Sequence, residues 1–372
     1  MSATTWRDRW TGWRNGLLSD PGFQQWAADF PLTRPIARRR AQGLFDLVAG
    51  FVYSQTLATC VRLRLFELLR DGPRATAALA EVLDLPLEAV DRLLGAAQAL
   101  RLVERAGPGR YALGAQGAAL LGNAGLLEMI EHHRHLYADL ADGVGLLRRG
   151  GGEGHLAAYW PYATSAAPQA TTPEDVSDYS ALMAATLPAV AADLFQAYRI
   201  GRHRRLMDVG GGEGAFLALA GAQAPALELM LFDLPAVTQR ARRRLACAGL
   251  LDRTEVFAGD FLSEPVPAGA DLITLVRILH DHDDTGAVAL LRSIRAALPP
   301  DGALLIAEPM SAAPRTDRVA DVYFALYLLA MGRGRARTPA EIAALARTAG
   351  FRRIRTLRTR TPFLLRAVLA QP

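Results

Sequence analysis

From Arg204 onward the chain alternates short β-like runs with helical stretches, and few folds accept that rhythm. The runs cover residues 205–210, 227–234, 254–260, 271–279 and 303–310; helical patterns fill the gaps, for example 235–248 and 285–298. A helix between two strands returns the chain to the same end of the sheet. The strands therefore run parallel, with helices on both faces. Residues 351–370 hold two more strands with no helix between them, joined near Thr361 and Pro362. The sheet is thus expected to end in an antiparallel hairpin, unusual for a nicotinamide-binding sheet. In such sheets ligands bind at the carboxyl ends of the strands.

Those ends carry chemistry. Asp208-Val209-Gly210-Gly211-Gly212-Glu213-Gly214 follows the first run and opens a helix. Glycines there let backbone approach a ligand and take positive φ. Alone, the loop is also what any tight strand–helix turn looks like. Asp233, followed by Leu234, ends the second run, where an acid can accept both hydroxyls of a ribose. Asp260 and Phe261 end the third, an acid and a ring suited to pairing with and stacking on adenine. The loop lacks the GxGxxG spacing of a pyrophosphate site. Glu213 at the helix start would repel phosphate and suit a cation, which favours S-adenosylmethionine over a nicotinamide dinucleotide.

Ahead of this region the pattern is helical. Residues 44–70 form a long apolar stretch with too few polar positions for a lone surface helix, so it is expected to be buried or shared with a second subunit. Residues 75–114 read as helix, turn at Pro86, a second helix from about Leu87 to Leu100, then a hairpin around Gly107-Pro108-Gly109. Thr76 is the expected cap of the first helix. That order is winged-helix-like. Residues 143–175 read as an irregular connection and a new helix begins near Ser177. The expected division is a domain over 1–176 and another over 177–372. Two distant cysteines, Cys60 and Cys247, make no metal or disulfide framework, which points to a reducing compartment, the cytoplasm. No apolar run reaches the ~18 residues that would argue for a bilayer span.

The motifs LMDVGGGEG, FDLPAV, GDF and ILHDHDD, in that order, resemble the S-adenosylmethionine-dependent O-methyltransferases of the plant caffeate and acetylserotonin type. Within them, residues 9–57 look like the bacterial hydroxycarotenoid methyltransferases, which act on the tertiary hydroxyl of hydroxyneurosporene or demethylspheroidene. The resemblance implies an α/β fold: a Rossmann-like class I methyltransferase sheet with a C-terminal antiparallel hairpin, and a mostly helical, winged-helix-like N-terminal domain that makes a homodimer. It implies S-adenosyl-L-methionine as cofactor, held by Asp208, Gly210, Gly212, Asp233, Leu234, Asp260, Phe261 and Arg277. It implies His280 as general base with Asp281 as companion and Glu308 orienting the ring. Tyr179, Met183, Tyr327 and Met331 are implied to line the acceptor pocket, although ordinary core packing explains the same four. Two departures stand out: Ala336 replaces a second acid, and His282 replaces a tryptophan.

ILHDHDD could also be read as a metal cluster. On a strand, His280 and His282 would share a side and Asp281 would not, while Asp283 and Asp284 suit a helix start. No metal is therefore assigned. A neutral imidazole can take the proton of an alcohol as the new bond forms, and Glu308 is expected to accept from its other ring nitrogen. The alternative acceptors are a bacteriochlorophyll-type tetrapyrrole carbon or a polycyclic phenol. A winged helix and net charge of +5 raise a DNA-binding regulator. The second helix offers only Arg92 and Gln98 against Glu88 and Asp91, so no nucleic acid is expected. Trp6, Trp10, Trp13 and Leu17 fall on one helical stripe. Such a stripe suits a dimer partner or a peripheral contact with the inner or photosynthetic membrane.

Overall fold

The structure, a computed structural model, describes residues 5–159, 177–311 and 318–372; the side chains of 177–181 and 318 lie outside the description. The expectation for Tyr179 therefore falls outside the described side chains. The chain divides into two compact units, Met1–Leu121 and Gly122–Pro372.

The first unit holds helices α1 (Trp6–Ser19), α2 (Pro21–Asp29), α3 (Arg34–Arg62) and α4 (Leu65–Leu68). Thr5 and Asp8 form a reciprocal capping box that starts α1. α3 begins ten residues ahead of the apolar pattern, with Pro35 in its first turn, and stops where Arg64 turns left-handed at φ 52°. By length and composition it is apolar enough to cross a bilayer. Its Leu44, Phe45, Leu47, Val48, Phe51 and Val52 are all exposed within this unit. β1 (Arg74–Ala75), α5 (Thr76–Leu83), α6 (Leu87–Ala99), β2 (Val103–Arg105), β3 (Arg110–Leu113) and α7 (Ala115–Leu121) follow, with the strands in the order β1-β3-β2. This is the helix–turn–helix–hairpin of the sequence reading. One detail differs: Ala75 is the N-cap of α5. Thr76 instead bonds the carbonyl of Gly109 through both its N–H and its hydroxyl, tying the helix to the hairpin turn.

The second unit opens with α8 (Ala124–Leu140), α9 (Gly143–Arg149), α10 (His155–Tyr159) and α11 (Ser177–Ala197). Two short helices thus occupy part of the stretch read as irregular. The compact unit also begins earlier than residue 177. The reason is apolar packing: Leu136, Leu146 and Leu156 from α8–α10 bury against Tyr327, Leu328 and Met331 far along the chain.

Then come β4 (Arg205–Val209), α12 (Ala215–Gln223), β5 (Glu228–Asp233), α13 (Pro235–Cys247), β6 (Thr254–Ala258), β7 (Leu272–Val276), α14 (Asp284–Ala297) and β8 (Ala303–Glu308). A six-residue π-helical turn, Arg318–Tyr323, leads into α15 (Phe324–Met331). α16 (Pro339–Thr348), β9 (Arg353–Leu357) and β10 (Arg366–Gln371) close the chain. The sheet order is β6-β5-β4-β7-β8-β10-β9. Pairing is parallel from β6 to β8, and β10 runs antiparallel to both β8 and β9, as the missing helix required. Alternate residues feed two cores: Ala303, Leu305 and Ala307 one face, Leu304 and Ile306 the other. Both faces are covered, so the strand ends are where polar groups can gather.

Candidate active site

A cleft opens at the carboxyl ends of β4, β5, β6 and β7. All eight groups expected to hold the cofactor line it: Asp208, Gly210, Gly212, Asp233, Leu234, Asp260, Phe261 and Arg277. Asp281, His282 and Met183 line it too. Gly210 and Gly212 take φ of 69° and 57°, a region glycine enters without strain. A β-carbon on Gly210 would come within 2.5 Å of Ile278, so the loop must stay bare to lie against the far wall.

Two buried acids stand among the charged groups that line this cleft. Asp233 accepts from the N–H groups of Gly212 and Leu234, both at 2.7 Å, and burial pushes its carboxyl up to about 6. Asp208 accepts from the Thr274 hydroxyl at 2.6 Å; burial, with Asp233 nearby, pushes it up to about 7. Each is a carboxylate short of a positive partner.

Glu213 differs from its sequence reading. It is buried, and Arg240 and Arg244 of α13 bind its two oxygens, the second at 2.8 Å. Its charge is neutralised there, so any preference for a cation comes from Asp208 and Asp233.

The loop after β7 sorts ILHDHDD into separate positions. His280 and Asp281 sit in a short 3-10 turn, with His280 Nε2 3.1 Å from Asp281 Oδ1. Contrary to the sequence expectation, Glu308 does not bond the ring. Its Oε2 accepts from the His280 backbone N–H at 3.0 Å, because the turn presents backbone to the end of β8. His280 Nδ1 and Glu308 Oε1 are buried with no hydrogen-bond partner among the described residues. Burial works against a charged His280 ring, but the Asp281 and Glu308 carboxylates together outweigh it and the net shift is upward. Asp283 is the N-cap of α14, accepting from Gly286 N–H at 2.7 Å, and Asp284 pairs with Arg335 and Arg337. His282, unexplained by the sequence, packs edge-on against Phe261 with ring centroids 5.6 Å apart.

Sequence reasoning missed the strap over this loop. Arg337 is buried completely and donates to Leu279 O, His282 O and Asp284 Oδ1 at 2.7–2.9 Å. Beside it, Arg335 N–H bonds His280 O at 2.9 Å. Gly334 lies so close that a β-carbon there would meet His280 O at 2.0 Å. Locally the segment shows only Ala336 where an acid is expected, and nothing in its sequence marks the arginines as partners of this loop. Only the fold puts them on the loop.

Other expected residues stand apart from the cleft. Tyr327 and Met331 are buried in the small core with Leu136 and Leu156, and Tyr327 hydroxyl bonds His132 Nε2 at 2.9 Å. His132 had no sequence signal. Arg277, at φ 59°, reaches α11, donating to Thr186 Oγ1 at 2.7 Å and Met183 O at 2.8 Å.

A seven-stranded sheet of this order, with glycines and paired acids at its strand ends and no pyrophosphate cradle, defines a methyltransferase of the class that uses S-adenosylmethionine. The comparisons agree. The O-methyltransferase domain matches residues 137–352 and the O-methyltransferase dimerisation domain residues 45–123. Demethylspheroidene O-methyltransferase of Cereibacter sphaeroides is 45% identical over 354 residues, 95% of this chain and 93% of that one. The protein of the same name from Rhodobacter capsulatus is 40% identical over 342 residues, 92% and 84% of the two chains. Among solved structures, a methyltransferase of calicheamicin biosynthesis in its SAH-bound form matches with a TM-score of 0.73 at 26% identity, covering 90% of this chain and 98% of that one. The chain belongs to the O-methyltransferase family, and S-adenosylmethionine is its cofactor. The buried, positively unpaired acids and the bare glycine loop fit a nucleoside that carries a cation and no phosphate.

Proposed function

We propose that this enzyme methylates the tertiary hydroxyl of a hydroxycarotenoid of the hydroxyneurosporene or demethylspheroidene type. The observation that carries this reading is the 45% identity, over nearly the whole of both chains, to a demethylspheroidene O-methyltransferase. The cofactor supplies an electrophilic methyl group on a sulfonium. Asp233 accepts from the ribose, Asp260 and Phe261 hold the adenine, and the Gly210–Gly212 backbone faces the rest of the nucleoside. Arg277 acts through α11, holding Met183 at the wall of the cleft.

His280 is the general base. Asp281 holds Nε2 and fixes the tautomer, which leaves Nδ1 to take the proton of the acceptor hydroxyl. Glu308 positions the loop through the His280 backbone and adds negative charge near the ring. A tertiary alcohol is a weak acid, so alignment contributes more to rate than basicity. Tyr327 and Met331 bear on the acceptor by shaping the wall behind that site. The exposed apolar face of α3, inside the matched dimerisation region, is the proposed homodimer surface. A substrate dissolved in lipid also calls for access from a bilayer, with Trp6, Trp10 and Trp13 as the contact.

The test is incubation with labelled S-adenosylmethionine and, separately, a hydroxycarotenoid, a bacteriochlorophyllide and a polycyclic phenol. Label is expected in the carotenoid. Label only in either of the others overturns the assignment.

A further inference from the structure

We infer that α1 is an interfacial anchor for the surface of an anionic bilayer, and that charge as well as apolar area sets its affinity. The inference rests on the lipid-soluble acceptor proposed above and gives its point of entry a chemistry. No residue of α1 is buried within its unit; Trp6, Trp10 and Trp13 are 73%, 56% and 60% exposed. Taking Trp6 as zero and about 100° per residue, Trp10, Trp13 and Leu17 fall within roughly 40° of it. Arg7 and Arg14 lie roughly 80–100° to one side and Arg9 about 60° to the other, while Asp8 and Asn15 lie about 160–180° away. A narrow aromatic stripe flanked on both sides by arginine, with the acid opposite, is how a helix sits at headgroup depth: rings at the boundary, guanidinium groups reaching outward to phosphates.

Asp8 is also held by its capping box with Thr5, so it faces away from the stripe for a structural reason. The region around α1 has the matching charge. Ahead of residue 45 seven arginines and three aspartates leave a net +4, against +5 for the whole chain. The matched dimerisation domain starts at residue 45, beyond α1. A second copy would need a complementary acidic surface on an otherwise near-neutral chain; a bilayer containing phosphatidylglycerol supplies one.

The experiment is vesicle flotation of the full chain, with vesicles of phosphatidylcholine alone or mixed with phosphatidylglycerol. Three proteins are compared: wild type, Trp10→Ala with Trp13→Ala, and Arg7→Gln with Arg9→Gln and Arg14→Gln. Wild type should favour the anionic vesicles and lose that preference in high salt. The arginine variant should lose about fivefold per residue, roughly a hundredfold in all, on anionic vesicles only. The tryptophan variant should lose binding to both. Equal partitioning of wild type and the arginine variant overturns the inference. So does a tryptophan variant that floats normally but changes its sedimentation as a dimer. A hydroxycarotenoid presented in detergent should be methylated equally by all three, and one dissolved in anionic vesicles more slowly by both variants. If wild type floats but methylates no carotenoid in either form, the acceptor assignment falls and the anchor stands.

Discussion

The cofactor cleft and the neighbouring loop that carries the proposed base are built differently. The first uses strand ends: Asp208 in β4 and Asp233 closing β5 are carried to their places by ladders with the neighbouring strands, and Asp260 and Phe261 follow just past β6. The second is gathered from separate elements. His280 and Asp281 sit on a turn, Glu308 ends β8, Arg337 arrives from the segment before α16, and the His132–Tyr327 pair joins α8 to α15. A rigid sheet edge can hold a nucleoside with few dedicated bonds. A base that moves a proton needs its turn pinned from several directions. The comparison makes a division of labour that can be broken: changes on one side should alter affinity, and changes on the other turnover.

The largest effect belongs to the proposed base. His280→Ala should lower kcat about 10²–10⁴-fold while the dissociation constant for S-adenosylmethionine, read by calorimetry, moves less than about threefold. Equal losses in both would place His280 on the cofactor side and dissolve the distinction. The wild-type kcat should rise with pH through an apparent pKa above the ordinary imidazole value, since Asp281 favours the proton that the base must shed before it can act.

Next is Asp233, the proposed ribose acid. Asp233→Asn removes a charge and one acceptor from two backbone N–H groups. It should weaken S-adenosylmethionine binding by about 10–100-fold, with kcat at saturation within about threefold of wild type. A variant that binds normally but turns over slowly would show that the strand end serves chemistry instead of affinity.

A third effect is about tenfold and separates charge from shape. Burial holds Asp233 at about 6 and Asp208 at about 7 in the free protein. Both pKa values are raised in the folded state. Their contribution to stability is therefore fully present below about pH 4 and is lost as pH rises through 6 and 7. A bound cation acts in the opposite sense, favouring the ionised acids and releasing protons. The affinity ratio of S-adenosylmethionine to its neutral demethylated product should fall about tenfold between pH 8 and pH 5.5. A ratio flat across that range would remove these acids from cation recognition.

The same contrast explains what was legible in the sequence. Strand ends recur with the β/α rhythm, so Asp208, Asp233 and Asp260 could be placed from spacing alone. Turn geometry could not. The turn at 279–281 is a 3-10 step, not a continuing strand, and that step sends the His280 ring to Asp281 and its backbone to Glu308. Arg337, His132 and the latch from Arg277 to α11 depend on which distant elements touch, which no local pattern encodes. The packing of α8 to α10 with the second compact unit is hidden for the same reason: their leucines meet α15 across nearly two hundred positions. The family resemblance supplied the roles, but not these contacts.

The smallest expected effect is the most discriminating, because local sequence and structure disagree about Glu213. Its place beside the glycine loop suggests a charge aimed at the ligand. In the fold its side chain is 6% exposed, held between Arg240 and Arg244. A buried carboxylate already paired with two guanidinium groups projects little field into the cleft. Glu213→Gln should therefore change the affinity ratio of S-adenosylmethionine to its demethylated product by less than about threefold. It should cost about 1–2 kcal/mol of unfolding free energy, because two partly exposed arginines lose their shared partner. Asp233→Asn should do the reverse, lowering that ratio with a smaller change in stability. If Glu213→Gln collapses the ratio as far as Asp233→Asn does, cation selectivity is a property of the loop, and the strand-end acids serve only to hold hydroxyls.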